Sequence, residues 1–104
     1  MLRAVFMFIV PGADPQRQRA VVQAEVAEVL TVAVCSYEQA ATVATALADE
    51  GYAAIELCGG FGHAGVAQVA AAVQGRAAVG VVRFDHHPLL GHRSGDQLAP
   101  ASGL

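Results

Sequence analysis

Two short stretches hold most of the side chains able to do chemistry. Glu56, Cys58 and His63 lie in YAAIELCGGFGH, and Arg83, Asp85, His86 and His87 lie in VVRFDHHP. A carboxylate and an imidazole titrating near neutrality are the usual partners for moving protons. Glu56 with His86 or His87 would do that work, and Asp85 would orient a histidine. Arg83 would clamp an anion and also neutralise Glu56, because a carboxylate buried without a partner is costly. The plainer alternative is a structural ion pair inside a sheet, since such pairs perturb carboxylates as active sites do.

Between the two stretches, Gly60-Phe61-Gly62-His63-Ala64-Gly65 matches G-x-G-x-x-G. Glycines let a backbone approach a ligand closely, and the free N–H groups of a helix start attract an anion. Gly59, Gly60, Gly62, Phe61, His63 and Cys58 are therefore candidate ligand-binding residues. A dinucleotide is a poor fit. That fingerprint belongs in the first βα turn of a larger sheet, with an acidic residue about 20 positions on. Here the nearest such acid, Asp85, lies further along. A tight turn needing glycine for geometry alone is the simpler account.

Asp85-His86-His87 also suggests a divalent metal site, with zinc, iron, nickel or manganese suited to imidazole and carboxylate. No HxH, HExxH or CxxC spacing demands one. Cys58 as a nucleophile rests on its nearness to a helix start, which lowers thiol pKa, although cysteines at strand ends are commonly inert.

Parallel α/β proteins bind ligands outside the carboxyl ends of their strands, where these residues fall. Continuous apolar or β-branched runs predict strands at Ala4–Val10, Val29–Cys35, Tyr52–Cys58 and Ala78–Phe84. Asp14-Pro15 reads as a helix start, giving a first helix from Gln16 to Ala24. Ser36 and Gln39 have capping-box spacing, and Ala40, Val43, Ala44, Leu47 and Ala48 recur at helical intervals up to Gly51. Val66, Val69, Ala70 and Val73 mark a third helix, closed by Gly75. The expected fold is α/β, a single small domain of order β-α-β-α-β-α-β with a four-stranded parallel sheet and three helices. Its strand order would be 2-1-3-4, flavodoxin-like, or 1-2-3-4, half-barrel-like. Residues 1–88 form the α/β domain, and 89–104 an irregular arm of it with frayed last residues.

Composition narrows the function classes. The chain has 104 residues, 55% of them hydrophobic, enough for a core without a disulfide or structural metal. The net charge is −3 with the signs intermixed, so no basic patch invites nucleic acid. The apolar run from Leu2 to Val10 is too short to span a bilayer and reads as a strand, so no membrane partner is expected. Two separate cysteines suggest reduced thiols and a cytoplasmic setting. Three helices cannot cover both sheet faces, so the arm or a second subunit must, and a homo-oligomer is expected.

The motifs PGADP, ELCGGFGHAGV and VGVVRFDHHP resemble those of a family of small bacterial proteins classed as a domain of unknown function. The resemblance runs from Val5 to about Asp96. It implies a compact α/β domain of bacterial origin and carries no catalytic residue across. The residues themselves point to an enzyme doing acid–base chemistry, of lyase, isomerase or cyclase type. Its substrate would be a small anionic metabolite at the ends of the third and fourth strands. The alternatives are a non-catalytic small-molecule or regulatory module, or an oligomeric structural protein.

Overall fold

The computed structural model describes residues 1–99; the expected frayed terminus lies outside them. The elements are β1 (Leu2–Ile9), β2 (Arg19–Gln23), β3 (Ala27–Val34), α1 (Tyr37–Asp49), β4 (Ala54–Leu57), α2 (His63–Ala72) and β5 (Ala78–Val81). Two short 3-10 turns follow, at Pro88–Leu90 and Gly95–Gln97. They make a single small α/β domain with a mixed sheet of order β2-β3-β1-β4-β5. β3, β1, β4 and β5 are parallel, and β2 runs antiparallel at the edge beside β3. The parallel strands therefore take the first expected order, and the half-barrel order is excluded.

Two expectations are corrected: among the described residues there are two α-helices rather than three, and five strands rather than four. The predicted helix over Gln16–Ala24 is mostly β2. Asp14 does start a turn, in which its carboxylate accepts the Gln16 N–H at 2.9 Å and its carbonyl accepts the Gln18 N–H at 2.8 Å. The turn stops there because nothing apolar recurs at helical spacing to pack it down. The β-branched pair Val21-Val22 instead joins the free edge of β3, through a tight connection closed by Ala24 N–H to the Ala27 carbonyl at 2.8 Å. The strands expected at Tyr52–Cys58 and Ala78–Phe84 are shorter than predicted. β4 begins at Ala54, and the chain leaves the sheet after Val82, whose N–H still reaches the Leu57 carbonyl at 2.9 Å.

Losing the first helix decides how the core is arranged. α1 and α2 pack against each other on one face of the sheet. Val5 and Met7 of β1, Leu30 and Val32 of β3, and Ile55 and Leu57 of β4 meet Ala40, Ala44 and Leu47 of α1 in one core. Full burial of each large side chain there stabilises by roughly 1.5–3 kcal/mol. Ser36 starts α1 by accepting the Gln39 N–H at 3.0 Å, as its spacing predicts, while the Gln39 side chain accepts from the Cys35 N–H at 2.7 Å. No helix among the described residues covers the other face. The C-terminal arm does not cover it either, because it folds back over the start of α2.

Candidate functional site

The loops after β1, β3 and β4 converge at the carboxyl ends of the strands, and the arm closes over them. Tyr37, the first residue of α1, is buried and stacks on Phe61 with ring centroids 5.7 Å apart. Its hydroxyl donates to Asp96 Oδ1 at 2.8 Å and accepts the Gly62 N–H at 3.0 Å. Asp96 Oδ2 accepts the Ala64 N–H at 3.0 Å, and Oδ1 the Gly65 N–H at 3.4 Å. Gly62 is the N-cap of α2 and has no side chain to cap it. Asp96 supplies that cap from the far end of the chain.

The anion expected at this helix start is thus the protein's own carboxylate, which satisfies N–H groups that would otherwise be orphaned. The glycines belong to this docking. A Cβ on Gly62 would overlap the Asp96 carboxyl group, and one on Gly95 would overlap the Gly60 carbonyl. Burial alone would push the Asp96 carboxyl up. Hydrogen bonds from Ala64, Tyr37 and Gly65, with the nearby Arg83 charge, instead hold it below its ordinary value of 3.8. Burial, reinforced by the Asp96 charge and opposed by the Gly62 N–H, pushes the Tyr37 phenol up to about 12.

The remaining sequence candidates divide into separate groups. Arg83 donates to the Phe61 carbonyl at 3.3 Å and pairs with Asp85 Oδ1 at 2.7 Å. Its Nε is buried and has no hydrogen-bond partner among the described residues. Glu56 is not brought to Arg83, as expected above: it is exposed, level with Phe6 and Gly80 on the face opposite the helices. Its expected pairing with Arg83 is therefore corrected; Asp85 takes that place. His86 Nδ1 lies 3.4 Å from the His92 carbonyl, and His87 Nδ1 accepts the Leu89 N–H at 3.1 Å. The His87 ring also packs on Phe84 at 4.5 Å between centroids, in space left by the missing side chain of Gly59. His63 opens α2 and is exposed. Cys58 Sγ receives the Gly60 N–H at 3.3 Å, and both cysteines are free thiols.

Asp85, His86 and His87 do not converge as metal ligands. Among the described residues, no group of three or more histidine, cysteine, aspartate or glutamate side chains is placed to hold a metal ion. Each of the three candidates is turned to a partner within its own loop or arm.

A cavity of about 190 Å³ opens beside the Tyr37–Asp96 contact. Ile9, Val10 and Pro11 line it from the loop after β1, and Cys35, Ser36 and Tyr37 from the loop after β3. Gly60 borders it after β4, and Leu90, Gly95, Leu98 and Ala99 come from the arm. Among the described residues, no charged side chain lines it. It lies at the strand ends where open α/β sheets bind ligands, but nearer β1 and β3 than the sequence suggests.

The match to known families decides the chain's kinship. A family model described as a family of unknown function (DUF6506) covers residues 2–97. The chain belongs to that family. No curated protein and no solved structure matches it. Membership in this family assigns no role to any residue, so the site rests on its geometry. Sequence reasoning missed Tyr37 and Asp96, its two central side chains. The Ser94-x-x-Gln97 spacing, which forms a capping box around the second 3-10 turn, is the one signal that could have marked the arm as ordered.

Proposed function

We infer that the chain is a binding module that takes a small, mostly apolar, neutral molecule in the cavity at the ends of β1 and β3. The lining carries the inference. A cavity of about 190 Å³ without a charged wall suits a ligand somewhat larger than benzene, which occupies an engineered apolar cavity of ~150 Å³. The Ser36 hydroxyl and Cys35 thiol would meet the ligand's polar end. The expected small anionic metabolite meets no cation among the described residues lining this cavity, and Asp96 already holds N–H groups of α2. The acid–base reading also needs Glu56 beside a histidine, and no hydrogen bond joins them among the described residues.

One observation favours a second reading. Arg83 donates from Nη1 to the Phe61 carbonyl while its buried Nε has no partner among the described residues, so a small anion displacing Asp85 would find a guanidinium next to the glycine loop. Both readings concern a small molecule rather than nucleic acid or a membrane. No helix among the described residues is long and apolar enough to cross a bilayer. A reducing cytoplasm suits the two free cysteines.

NMR titration with a panel of small phenols, alcohols and amides, and separately with small carboxylates and phosphate, tests the choice. Neutral probes are expected to shift the amides of Val10, Ser36 and Leu98, and to lose that effect in Val10→Trp, which fills the cavity. Carboxylates or phosphate acting around Arg83, Phe61 and Asp85, with no effect of neutral probes, would favour the second reading.

A further inference from the structure

We propose that the bare face of the sheet is covered by a second copy of this chain, packed face to face about a two-fold axis running along β1. Strand register defines the face. Ala4, Phe6 and Phe8 of β1 stand level with Val29, Thr31 and Ala33 of β3. They point away from Val5 and Met7, which are buried under the helices. Val22 of β2 stands opposite Val29 and is 68% exposed, and Val29 itself is 37% exposed. Ala33 itself is buried, so the accessible surface is made by Ala4, Phe6, Phe8, Val22 and Val29 with Thr31 among them, a mainly apolar patch across the middle of the sheet of the kind that marks an interaction site.

Area and charge both identify the occupant. Five strands ~4.8 Å apart, each giving about six residues at ~3.3 Å, outline a face on the order of 500 Å². Two such faces bury on the order of 1,000 Å², the lower bound for a specific interface. A pleated sheet packs well on a similar sheet at small angles, and two-fold dimers are the commonest assemblies.

The face carries one acid, Glu56 of β4, and two arginines border its other side. Arg17 and Arg19 line a shallow groove there with Phe8, Ala20 and Thr31. Arg19 donates from its Nε to the Pro15 carbonyl at 2.7 Å. Glu56 and Arg17 make no ion pair or side-chain hydrogen bond among the described residues. Glu56, Phe6, Thr31 and Ala20 stand at one level across four adjacent strands. An axis along β1 keeps that level and exchanges the two halves of the sheet. It sets each Glu56 over the β3 side of the second copy, beside the partner's Arg17. An axis across the strands would instead bring Glu56 towards the partner's Glu56, and facing like charges are unfavourable.

Sedimentation velocity of the full chain over ~1–100 µM tests this. The expected result is a dimer. Val29→Lys places a charge on the exposed part of the face and should give a monomer with an unchanged far-UV circular dichroism spectrum. Glu56→Arg and Arg17→Glu should each weaken the dimer about tenfold or more, and the double exchange should recover most of the loss. A wild-type monomer throughout the range would overturn the proposal and leave the face to another partner. So would a dimer indifferent to Val29→Lys, which would place the contact elsewhere. Failure of the double exchange to recover affinity would overturn the axis along β1.

Discussion

Two tyrosines, at opposite ends of the sheet, each donate a hydrogen bond to a carboxylate. At the carboxyl ends of the strands, Tyr37 meets Asp96, 59 positions away. At the amino ends, Tyr52 meets Glu28 at 2.6 Å, 24 positions away, with Arg3 stacked over its ring at 4.1 Å and 3.5 Å from Glu28. The motifs look alike and their surroundings differ. Asp96 also accepts two backbone N–H groups and lies where glycines admit the backbone. The amino-end cluster takes no backbone N–H: it is held by side chains and by Arg3, a partly exposed guanidinium that donates to the Glu50 carbonyl at 2.6 Å. One end is a built joint that fixes a distant segment over a cavity, and the other is a clasp between neighbouring elements, centred on a buried tyrosine. Their difference shows where the fold has committed its close backbone contacts.

The largest effect is expected from Gly95→Ala. The new Cβ meets the Gly60 carbonyl, which is backbone and cannot swing aside as a long side chain would. Overpacking of this kind costs about 3 kcal/mol at its upper end. The arm should detach before the sheet unfolds, because its removal leaves the core under α1 intact. Faster amide exchange at Ala64 and Gly65, with the β1 and β3 amides still protected, is the expected signature. Unchanged exchange at Ala64 would mean the arm's docking does not depend on this close approach.

Asp96→Asn should weaken the joint less, by about 1–2 kcal/mol, since the amide keeps the shape and loses the charge. Acid should imitate it. The Asp96 carboxyl titrates below its ordinary 3.8 in the folded chain, so its contribution is present above that value. It is lost as pH falls through the depressed value. Alkali acts through Tyr37, whose contribution is present below the ordinary phenol value of 10.0 and is lost as pH rises through about 12. Amide exchange at Ala64 and Gly65 across acid pH checks the first limb. Asp96→Asn should flatten it; an acid response unchanged in that variant would move its origin to another carboxylate.

The sequence makes one part of this joint visible and hides the other. The apolar runs, the Ser36 cap and the glycine loop point to the parallel strands and to a helix start that attracts negative charge. They also place the site at the strand ends. They do not reveal that Asp96 fills the helix start. It sits in a stretch without periodicity, and its partners Tyr37 and Gly62 are brought to it only by tertiary folding. Gln16 to Ala24 misleads for a related reason. Asp14-Pro15 is a genuine turn start, but the segment's fate depends on the free edge of β3, which local pattern does not report. Glu56 shows what alternation can and cannot say. Its spacing from Ile55 and Leu57 puts it on the face away from the helices, yet not on the side where Arg83 lies.

The same deletion at both ends sharpens the comparison at its smallest scale. Tyr37→Phe removes a hydroxyl that both donates to Asp96 and accepts from Gly62. The Gly62 N–H is then left without its acceptor in a buried place, which costs about 1–3 kcal/mol. Tyr52→Phe removes one bond to Glu28, whose carboxylate keeps its ion pair with Arg3 and part of its exposure to water. The ring stays beneath the guanidinium, so the stacking survives. Tyr52 is buried, but no group loses its last partner, so the loss should be near the ordinary hydrogen-bond value of about 1 kcal/mol. Thermal melts of the two variants at neutral pH should rank Tyr37→Phe well below Tyr52→Phe, and only Tyr37→Phe should speed exchange at Ala64. Equal losses would show that the amino-end clasp is as tightly built as the joint over the cavity, and that glycine-mediated backbone contact is not what separates them.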